Sequence, residues 1–291
     1  MERLRPIRTM QPTLVDAPPA GAGWIHEIKY DGYRLELLVE GGSARAYSRQ
    51  HSDWTRLSAP IVAAAATLDC RTAILDGEIA VQDQNGVTQF GELRQAMSRQ
   101  PHRLVYFAFD LLHLNGADLR NEPIESRRAQ LRQLIGQAAA PIVMSDEFVG
   151  EGAAMFAFAV EQGLEGMVSK RLGSRYRSGD SKDWLKIKCW VEEAFDVIGV
   201  LRDTHDVPYA MLARNGIYLG AAHVSLPAEL RQVFWDYIRL RGAPAPVAGD
   251  IKKPGARWVL PGLKATVRYL KGSGKLRHAS VRGLEIDSEP R

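Results

Sequence analysis

Cysteine is scarce in this sequence: Cys70 and Cys189 are its two cysteines, and neither lies in a C-x-x-C pair. Two isolated cysteines do not make a disulfide framework, so we expect a reduced environment for the chain. The seven histidines are scattered along the sequence. Because cysteine and histidine do not cluster, the sequence predicts no protein zinc site.

Long apolar runs are also missing. No run of about 18 apolar residues occurs, which is the length that a membrane-spanning helix needs. Residues 1–19 contain no apolar core of the length found in signal peptides. We therefore predict no membrane contact and a cytoplasmic location. Hydrophobic residues make up 45% of the 291 residues, an ordinary fraction for a globular protein, and the length suggests one to three domains.

A large excess of one charge sign is absent as well, since 38 Lys and Arg face 34 Asp and Glu. The excess of basic residues lies at one end of the chain. From Cys189 onward there are 15 basic and 11 acidic residues, which leaves 23 of each sign in residues 1–188. From Lys252 onward the numbers are 10 and 3. A basic segment predicts contact with a phosphate backbone, and a solvated basic tail is the alternative.

Residues 1–188 mix strand-like apolar runs with a few helical patterns. The predicted elements are helix 60–68, strand 73–82, strand 104–112, helix 124–135 and helix 153–161. The segment Asp83-Gln84-Asn85-Gly86 lies between apolar runs and predicts a hairpin turn. Strands and helices do not alternate regularly, so we expect an α+β fold.

The sequence changes character after Lys188. Short strand-like runs surround one helical pattern, and Asn215-Gly216 marks a tight turn between two of the strands. The predicted elements are strands 194–202, 210–213, 216–220 and 265–270, helix 227–240 and a loop at 242–249. A small β-barrel with one helix is typical of the OB-fold, a nucleic-acid-binding module. We therefore predict a second domain, 189–291, joined to the first by a short hinge.

A candidate nucleophile, Lys29, ends an apolar strand-like stretch at a glycine turn. Period-2 alternation places Glu27, Lys29 and Asp31 on one face of that strand. A lysine held between carboxylates and facing a pocket can act as an amine nucleophile if burial or nearby cations favour its neutral form. An exposed structural strand could carry the same charge pattern, so this segment alone leaves both interpretations open.

Four further segments occur in a fixed order after it. They are Leu75-Asp76-Gly77-Glu78-Ile79, Tyr106-Phe107-Ala108-Phe109-Asp110-Leu111-Leu112, Glu165-Gly166-Met167-Val168-Ser169-Lys170 and Trp184-Leu185-Lys186-Ile187-Lys188. Together with residues 24–34 they resemble the motifs of the covalent nucleotidyltransferases, which comprise ATP-dependent DNA ligases, RNA ligases and mRNA-capping guanylyltransferases. Residues 10–15 and 176–189 narrow the resemblance to an ATP-dependent DNA ligase, similar to the ligase module of bacterial ligase D from end-joining repair.

The resemblance implies a fold and a reaction. Residues 1–188 would form a nucleotidyltransferase (adenylation) domain of ATP-grasp-like antiparallel sheets with helices, and residues 189–291 an OB-fold β-barrel. The chain would seal 5′-phosphate/3′-hydroxyl breaks in duplex DNA through a lysyl-AMP intermediate, using ATP and Mg²⁺ (or Mn²⁺). Each stage is a phosphoryl transfer, in which positioning and neutralisation of charge supply most of the catalysis.

The resemblance also implies roles for the lysines. Lys29 is the expected nucleophile. Lys186 and Lys188 are alternate positions of one strand, so both can point into the same pocket. The second would contact the α-phosphate of ATP, the first would lie near it, and both would favour the neutral form of Lys29. The alternative for these two lysines is a solvated edge strand.

Five further residues are implied around the nucleotide. Glu78 would approach the ribose or a bound metal, and Glu165 would coordinate Mg²⁺, a cation that prefers oxygen ligands. The ring of Phe109 would stack on the adenine, with plain core packing as the alternative. Arg34 and Arg49 would contact the ribose or the phosphates of the nick.

The strand before Lys29 carries the remaining implied contacts. The backbone around Glu27 and Ile28 would read the adenine edge and so separate ATP from GTP. Asp31 would lie beside the metal or beside Lys29. Each acidic residue alone would more often be a surface charge, but their common placement beside glycines and apolar strand residues favours a pocket.

The pattern breaks near the end of the chain. The final motif of the family reads R-x-D-K, whereas this sequence reads Glu285-Ile286-Asp287-Ser288, so the two basic positions are acidic and neutral. A glutamate beside a triphosphate adds repulsion where the family has attraction. Either a neighbouring cation (Arg282, Arg291 or Lys275) substitutes, or self-adenylation is slow.

Two other interpretations stay open from the sequence. An RNA ligase or a capping-type nucleotidyltransferase uses the same chemistry, and RNA specificity depends on contacts to the 2′-hydroxyl. A degenerate ligase retained as a nick-binding protein would account for the altered final motif. For the ligase itself we expect nicked or broken duplex DNA as the partner, a monomer at the bacterial nucleoid, and recruitment by a Ku-like end-binding protein.

Overall fold

The computed structural model describes residues 3–136, 141–244, 253–270 and 276–287. The chain divides into two compact units, Met1–Cys189 and Trp190–Arg291. This division falls one residue after the boundary expected from the sequence. Each unit has its own sheets and its own hydrophobic core.

The strands of the first unit form two sheets. Their bounds are β1 (Met10–Leu14), β2 (Trp24–Ile28), β3 (Tyr33–Glu40), β4 (Ser43–Ser48), β5 (Thr72–Val81), β6 (Leu104–Leu114), β7 (Ala117–Asp118), β8 (Ile142–Met144), β9 (Glu147–Val149), β10 (Gly166–Arg171) and β11 (Gly179–Lys188). Sheet A has the order β1-β11-β10-β2-β9. Sheet B has the order β4-β3-β5-β6-β7, with β8 paired to β6. The pairs β1–β11 and β6–β8 are parallel.

Four α-helices accompany these sheets: α1 (Ala59–Ala65), α2 (Phe90–Arg99), α3 (Ile124–Ile135) and α4 (Gly152–Glu161). The buried face of α3 consists of Ile124, Arg127, Arg128, Leu131 and Ile135. Their spacing of three, four, seven and eleven residues from the first is the stripe that a helix presents to a core. Within the described part of the chain, no helix has both the length and the apolar character that crossing a membrane requires.

Sheet B is buried on both faces, because one face packs against helices and the other faces sheet A. Alternation along β3 sends Leu35, Leu37 and Val39 into a core shared with α1, α2 and α3, and it sends Leu38 to the opposite face. The second core lies between sheets A and B. Its members include Leu38, Ile74 and Leu112 from sheet B and Met10, Ile25 and Trp184 from sheet A. The motif strands β2, β5, β6, β10 and β11 therefore surround one interior.

The second unit is a barrel. Its strands are β12 (Trp190–Arg202), β13 (Pro208–Arg214), β14 (Ile217–Val224), β15 (Arg257–Trp258), β16 (Leu263–Leu270) and β17 (Arg277–Ile286), and its helix is α5 (Ala228–Leu240). The strand order is β13-β14-β17-β16-β12-β15, and an additional pairing of β13 with β12 closes five of the strands into a ring. Phe234 of α5 packs into the core of this barrel.

Most elements predicted from the sequence are present. The helices predicted at 124–135, 153–161 and 227–240 each agree with the structure to within one residue. Asn215 and Gly216 form the turn between β13 and β14, as predicted. The predicted loop at 242–249 lies outside the described residues from position 245 onward.

Two features were not predicted correctly. The turn expected at residues 83–86 is present and is flanked by the antiparallel bridge Gln82–Thr88, but the second strand expected after it is wrong, because the chain enters α2 there. Helix α2 itself was missed. Its apolar residues Phe90, Leu93, Ala96 and Met97 have helical spacing and pack against the core, so a signal was present in the sequence. It was missed because the helix is short and contains a glycine and several polar residues.

Candidate active site

Lys29 lies directly after β2. Its backbone N–H donates to the carbonyl of Gly166 at 3.0 Å, which extends the pairing of β2 with β10 by one residue. Its ammonium lies 2.6 Å from Glu165 Oε2, and its side chain is 22% exposed. The sequence placed Lys29 between the carboxylates of Glu27 and Asp31, and for Glu27 this is corrected, because its carboxylate pairs with Lys170 and Arg128. The partner of Lys29 is Glu165, because β10 runs antiparallel to β2 and brings the residues at its start to the end of β2.

A glycine is required next to Glu165. Gly166 has φ +154, and a Cβ at this position would collide with the carbonyl oxygen of Ile187 on β11. The close approach of these two strands holds the backbone of Glu165, whose carbonyl accepts the N–H of Cys189 at 2.9 Å. The carboxylate of Glu165 is only 7% exposed. Glu165 is therefore held in place on its backbone side while its side chain meets Lys29.

Glu78 occupies the middle strand of sheet B. It lies opposite Arg34 of β3 and Phe107 of β6. The residue before it must also be glycine, because a Cβ at Gly77 would collide with the ring of Tyr106. Gly77 is therefore a point of close approach between β5 and β6.

The carboxyl group of Glu78 has a raised pKa. Burial raises this pKa to about 8, against the effect of the nearby positive charge of Lys29 and with a contribution from the negative charge of Glu165. A cation that arrives next to such a carboxyl favours its ionised form. Glu78, Glu165 and Lys29 thus form one electrostatically coupled group.

Lys186 and Lys188 occupy alternate positions at the end of β11, so both side chains leave sheet A on the same face. Lys188 lies opposite Gly166. Burial lowers the pKa of Lys186, and the positive charges of Lys29 and Arg49 lower it further. The structure therefore brings Lys29, Lys186 and Arg49 together, as a site for an anion such as a triphosphate requires.

Arg34 has partners that the sequence did not predict. Its Nε and Nη2 donate to the two carboxylate oxygens of Asp76 at 2.9 and 2.6 Å, and its Nη1 donates to the carbonyl of Met10 at 2.6 Å. Its guanidinium lies 5.2 Å from the ring centroid of Phe109 and 5.7 Å from that of Trp184. These bonds join β3 to β5 and β1. The predicted contact with the ribose or the nick phosphates stays a prediction.

Phe109 is half-buried in the core between the two sheets. Its ring meets Trp184 edge-on, with centroids 6.0 Å apart, and the ammonium of Lys170 lies 4.5 Å from its centroid. Core packing was one of the two interpretations of this residue, and its contact with adenine stays a prediction. On the same strand, Phe107 stacks on Tyr30 with centroids 3.9 Å apart, a pair that the sequence did not indicate.

Glu27 belongs to a buried ion cluster. Its Oε1 lies 2.7 Å from both Arg128 Nη1 and Lys170 Nζ, and its Oε2 accepts the hydroxyl of Ser145 at 2.9 Å. Arg128 also pairs with Glu147 at 2.7 Å. Glu27, Arg128 and Lys170 are at most 3% exposed. Burial lowers the pKa of Lys170, and the negative charge of Glu27 opposes this effect.

Next to Lys29, the backbone N–H and carbonyl of Ile28 point away from β10. Since the N–H of Lys29 points to β10, strand alternation turns the peptide groups of Glu27 toward β10 and those of Ile28 toward β9. Pairing with β9 ends at Glu27, opposite Glu147. The predicted reading of a nucleobase edge by the backbone therefore suits Ile28. The backbone of Glu27 faces β10, so its contact with a nucleobase, which stays a prediction, would fall to its side chain.

Two carboxylates of this group suit a hard metal ion. Among the residues that the structure describes, no three or more Asp, Glu, His and Cys side chains form a group that could hold a metal. Mg²⁺ commonly binds through one or two carboxylates, with waters and substrate phosphates completing its shell. Glu78 and Glu165, which influence each other electrostatically, fit that requirement. A metal that needs a complete protein shell does not fit.

The altered final motif lies at the end of β17. Glu285 is opposite Lys264 of β16, and the carboxylate of Asp287 lies 3.8 Å from Lys264 Nζ. Lys264 is thus a cation beside this motif that the sequence did not indicate. Of the substitutes suggested from the sequence, Arg282 is exposed on β17, whereas Arg291 and Lys275, like Ser288, lie outside the described residues.

The buried cations Arg128 and Lys170 were not among the predicted site residues. A signal for Arg128 was present, because it lies with Arg127 on the apolar stripe of α3, and a charged residue on such a stripe needs a buried partner. Lys170 ends one of the motifs, but strand alternation alone does not show which carboxylate it meets.

Comparison with known proteins places these residues in a family. A family model described as "ATP dependent DNA ligase domain" matches residues 13–188. The "Multifunctional non-homologous end joining protein LigD" of Pseudomonas aeruginosa is 30% identical over 96% of this chain. The "Bifunctional non-homologous end joining protein LigD" of Bacillus subtilis is 26% identical over 97% of the chain. The chain spans 35% of the length of the first of these relatives and 49% of the length of the second.

Solved structures agree in fold with the whole chain. A structure of "mycobacterial DNA ligase D complexed with ATP and MES" is 29% identical, covers 97% of this chain and 96% of its own, and superposes with a TM-score of 0.61. The ligase domain of M. tuberculosis LigD is 30% identical with the same coverage and a TM-score of 0.57. This chain shares mixed sheets with few helices with these structures. The chain belongs to the ATP-dependent DNA ligase family.

Proposed function

We propose that the chain is an ATP-dependent DNA ligase that seals 5′-phosphate/3′-hydroxyl breaks in duplex DNA through a lysyl-AMP intermediate. The position of Lys29 carries the proposal: its amine lies 2.6 Å from Glu165 and is electrostatically coupled to Glu78 and Lys186. A purely structural ion pair does not need two further ionisable groups with shifted pKa values at the same place.

In the first stage, Nζ of Lys29 attacks the α-phosphorus of ATP. A P–N bond forms and the bond to pyrophosphate breaks. Glu165 Oε2 accepts a hydrogen bond from Nζ, so we assign to it the proton that the ammonium loses before attack. Lys186 and Arg49 supply positive charge to the phosphate oxygens. Glu78 and Glu165 are the residues proposed to hold Mg²⁺ (or Mn²⁺), which when bound would neutralise charge on those oxygens.

In the later stages the AMP leaves Lys29. The 5′-phosphate of the DNA takes the AMP as the P–N bond breaks and Nζ regains its proton. The 3′-hydroxyl then attacks the activated phosphate, and AMP departs. For the other contacts, we assign the ribose to Glu78 and Arg34, the adenine to Phe109, Glu27 and Ile28, and phosphates to Arg49 and Lys188.

We assign Met1–Cys189 as the nucleotidyltransferase domain and Trp190–Arg291 as an OB-fold domain. Supporting this assignment, β12, β13, β14, β17 and β16 close into a ring and α5 comes after β14 in the chain, which matches a five-stranded barrel. The net positive charge of this part of the sequence suits duplex DNA. We further propose that the chain acts as a monomer in the bacterial cytoplasm, at the nucleoid, and that a Ku-like end-binding protein recruits it for end joining.

The mass of the protein after incubation with ATP and Mg²⁺ tests the proposal. We expect one covalent AMP on the wild-type chain and none on Lys29→Ala. A second assay offers a nicked duplex that already carries AMP on its 5′-phosphate, which both proteins should seal. A wild-type chain that takes up no AMP and seals nothing, yet binds nicked DNA, would favour the nick-binding alternative. Faster sealing of an RNA nick than of the same DNA nick would favour an RNA ligase.

A further inference from the structure

Two proposed nucleobase contacts, Glu27 and Phe109, are held by the same two buried cations. Lys170 Nζ lies 2.7 Å from Glu27 Oε1 and 3.3 Å from the carbonyl oxygen of Phe109. Arg128 Nη1 lies 2.7 Å from the same carboxylate oxygen and 3.2 Å from the same carbonyl. Because Glu27 belongs to sheet A and Phe109 to sheet B, these cations tie the two sheets together at this point.

The cluster leaves Glu27 little rotational freedom. Arg128 Nη2 donates to the carbonyl of Ser145 at 2.8 Å, and the hydroxyl of Ser145 donates to Glu27 Oε2 at 2.9 Å. Three donors therefore converge on one carboxylate. A carboxylate has about four lone-pair positions, so about one remains for a ligand. The ammonium of Lys170 is in turn held 4.4 Å from the ring centroid of Trp184.

A carboxylate accepts hydrogen bonds and donates none. At the edge of a purine it suits the exocyclic amino group of adenine, which is a donor, and it opposes the keto oxygen of guanine, which is an acceptor. A site built to accept from one group rejects a ligand without that group, because the buried acceptor then stays unpaired. Discrimination of this kind depends on a fixed carboxylate, since a mobile one could turn away from the wrong base.

We propose that Arg128 and Lys170 are positioning residues of the adenine site. They orient Glu27 and Phe109, and they thereby set the affinity for ATP and its preference over GTP without taking part in phosphoryl transfer. The inference rests on the proposed function, because it concerns residues that act through two contacts assigned there. The structural alternative is that the cluster only holds the two sheets together, as buried ion pairs can.

Helix α3 offers a matched pair of variants. Arg127 and Arg128 are neighbours, both buried and both paired with a carboxylate, but Arg127 binds Asp110 and not Glu27. An Arg→Lys change at either position keeps the charge and removes the forked hydrogen bonding. Both changes should therefore lower thermal stability. Only Arg128→Lys should alter nucleotide binding.

Binding is measured by titration calorimetry with ATP and GTP in chains that also carry Lys29→Ala, so that no reaction follows binding. We expect Arg128→Lys to weaken ATP binding by about tenfold or more, as loss of a charge-assisted contact would, and to narrow the difference between ATP and GTP. Arg127→Lys should keep both affinities. Equal losses in the two variants, or no loss in Arg128→Lys, would overturn the proposal.

Two more variants keep the test decisive if Arg128→Lys does not fold. Ser145→Ala removes one donor to Glu27 and keeps the backbone carbonyl that Arg128 binds, so it should shift the ATP/GTP ratio in the same direction by a smaller factor. In chains with Lys29 intact, Lys170→Met should raise the KM for ATP while the maximal rate of AMP uptake stays within about threefold. Unchanged nucleotide preference in both variants would contradict the inference. Failure of the proposed function is a separate outcome: the wild-type chain would then take up no AMP at all.

Discussion

The first unit contains two clusters of charged side chains that differ in how completely their charges are paired. Around Arg127 and Asp110 the side chains are fully buried, and two hydrogen bonds of 2.7 and 2.8 Å join the pair. Around Lys29 the amine is 22% exposed, and Glu78 and Lys186 nearby have shifted pKa values. Both places combine basic and acidic side chains, Arg127 with Asp110 in the first and Lys29 with Glu165 in the second.

What separates the reactive group from the scaffold is how completely the opposite charges are paired and buried, since both places contain ion pairs. A buried pair with matched hydrogen bonds fixes geometry, and removing one partner is costly because the other charge stays buried. A cluster that is open on one side keeps its charge uncompensated until a ligand supplies the missing partner. We call Arg127 and Asp110 the scaffold, and Lys29, Glu78, Glu165 and Lys186 the open cluster. Changes in the scaffold should therefore mainly alter stability, and changes in the open cluster should mainly alter the reaction.

The largest effect is expected at the open cluster. Lys29→Ala should lower AMP uptake by more than about 10³-fold, because no other side chain can form the P–N bond. Its free energy of unfolding should fall by about 1–3 kcal/mol, because the buried carboxylate of Glu165 loses its partner. Labelling with α-labelled ATP and urea denaturation measure the two quantities. Robust labelling of Lys29→Ala would refute the assignment.

The scaffold should respond in the opposite way. Arg127→Met should lower the free energy of unfolding by about 3–5 kcal/mol, because Asp110 would remain buried without its partner. The rate of AMP uptake per folded molecule should stay near that of the wild type. Urea denaturation and active-site titration of the same sample separate the two. A loss below about 1 kcal/mol would show that this pair does not support the fold.

Glu165 combines a feature of each cluster, because its carboxylate is buried and yet it pairs with the partly exposed Lys29. Glu165→Gln keeps the shape and should slow both AMP uptake and sealing of a pre-adenylated nick by about 10- to 100-fold, since proton transfer and charge neutralisation are both affected. Single-turnover rates across a Mg²⁺ series give the measurement. Wild-type rates in both assays at low Mg²⁺ would show that the carboxylate serves only as the resting partner of Lys29.

Two carboxyl groups with similarly raised pKa values allow a pH test. Burial raises the pKa of Glu78 to about 8 and that of Glu36, which accepts the N–H of Ile7, also to about 8. Between the ordinary value of 4.5 and about 8 the folded chain holds a proton that the unfolded chain releases. Stability is therefore lost as pH rises through this range.

Glu78→Gln and Glu36→Gln remove that penalty one group at a time. The free energy of unfolding of each variant should exceed that of the wild type by about 1–3 kcal/mol at pH 8 and by much less at pH 5. This range follows from about 1.4 kcal/mol for each pKa unit, reduced for partial solvation. Only Glu78→Gln should slow AMP uptake, because Glu36 lies outside the open cluster. A gain that does not change with pH in urea denaturation would contradict the assignment.

The smallest effect concerns the second unit. If its final motif reaches the triphosphate, as the family resemblance implies, Glu285→Arg with Ser288→Lys should speed AMP uptake by about tenfold. Sealing of a pre-adenylated nick should change little, because pyrophosphate leaves only in the first stage. Lys264→Met, which removes the cation opposite Glu285, is the counterpart and should slow uptake. An unchanged rate in both variants would show that this end of β17 does not take part.

Local pattern predicted much of the fold. The apolar period of α3 was sufficient for its bounds. The order of the motif segments was sufficient to select the family, because residues that share one reaction must be present together. Helix α2 and the turn before it show the limit: a short helix with a glycine and several polar residues was missed, and a turn signal does not determine whether a strand or a helix comes next.

Partners distant in sequence could not be predicted. Lys29 and Glu165 are 136 residues apart, and Glu27 and Arg128 are 101 residues apart. The sequence identified Lys29 as a nucleophile held between carboxylates, but it offered the nearby Glu27 and Asp31 and not Glu165. Strand alternation shows which face a residue occupies and not which strand lies across from it. The identity of the motifs was therefore readable along the chain, whereas the antiparallel pairing of β2 with β10 and the packing of α3 decided which charges meet, because only tertiary structure brings distant segments within hydrogen-bonding distance.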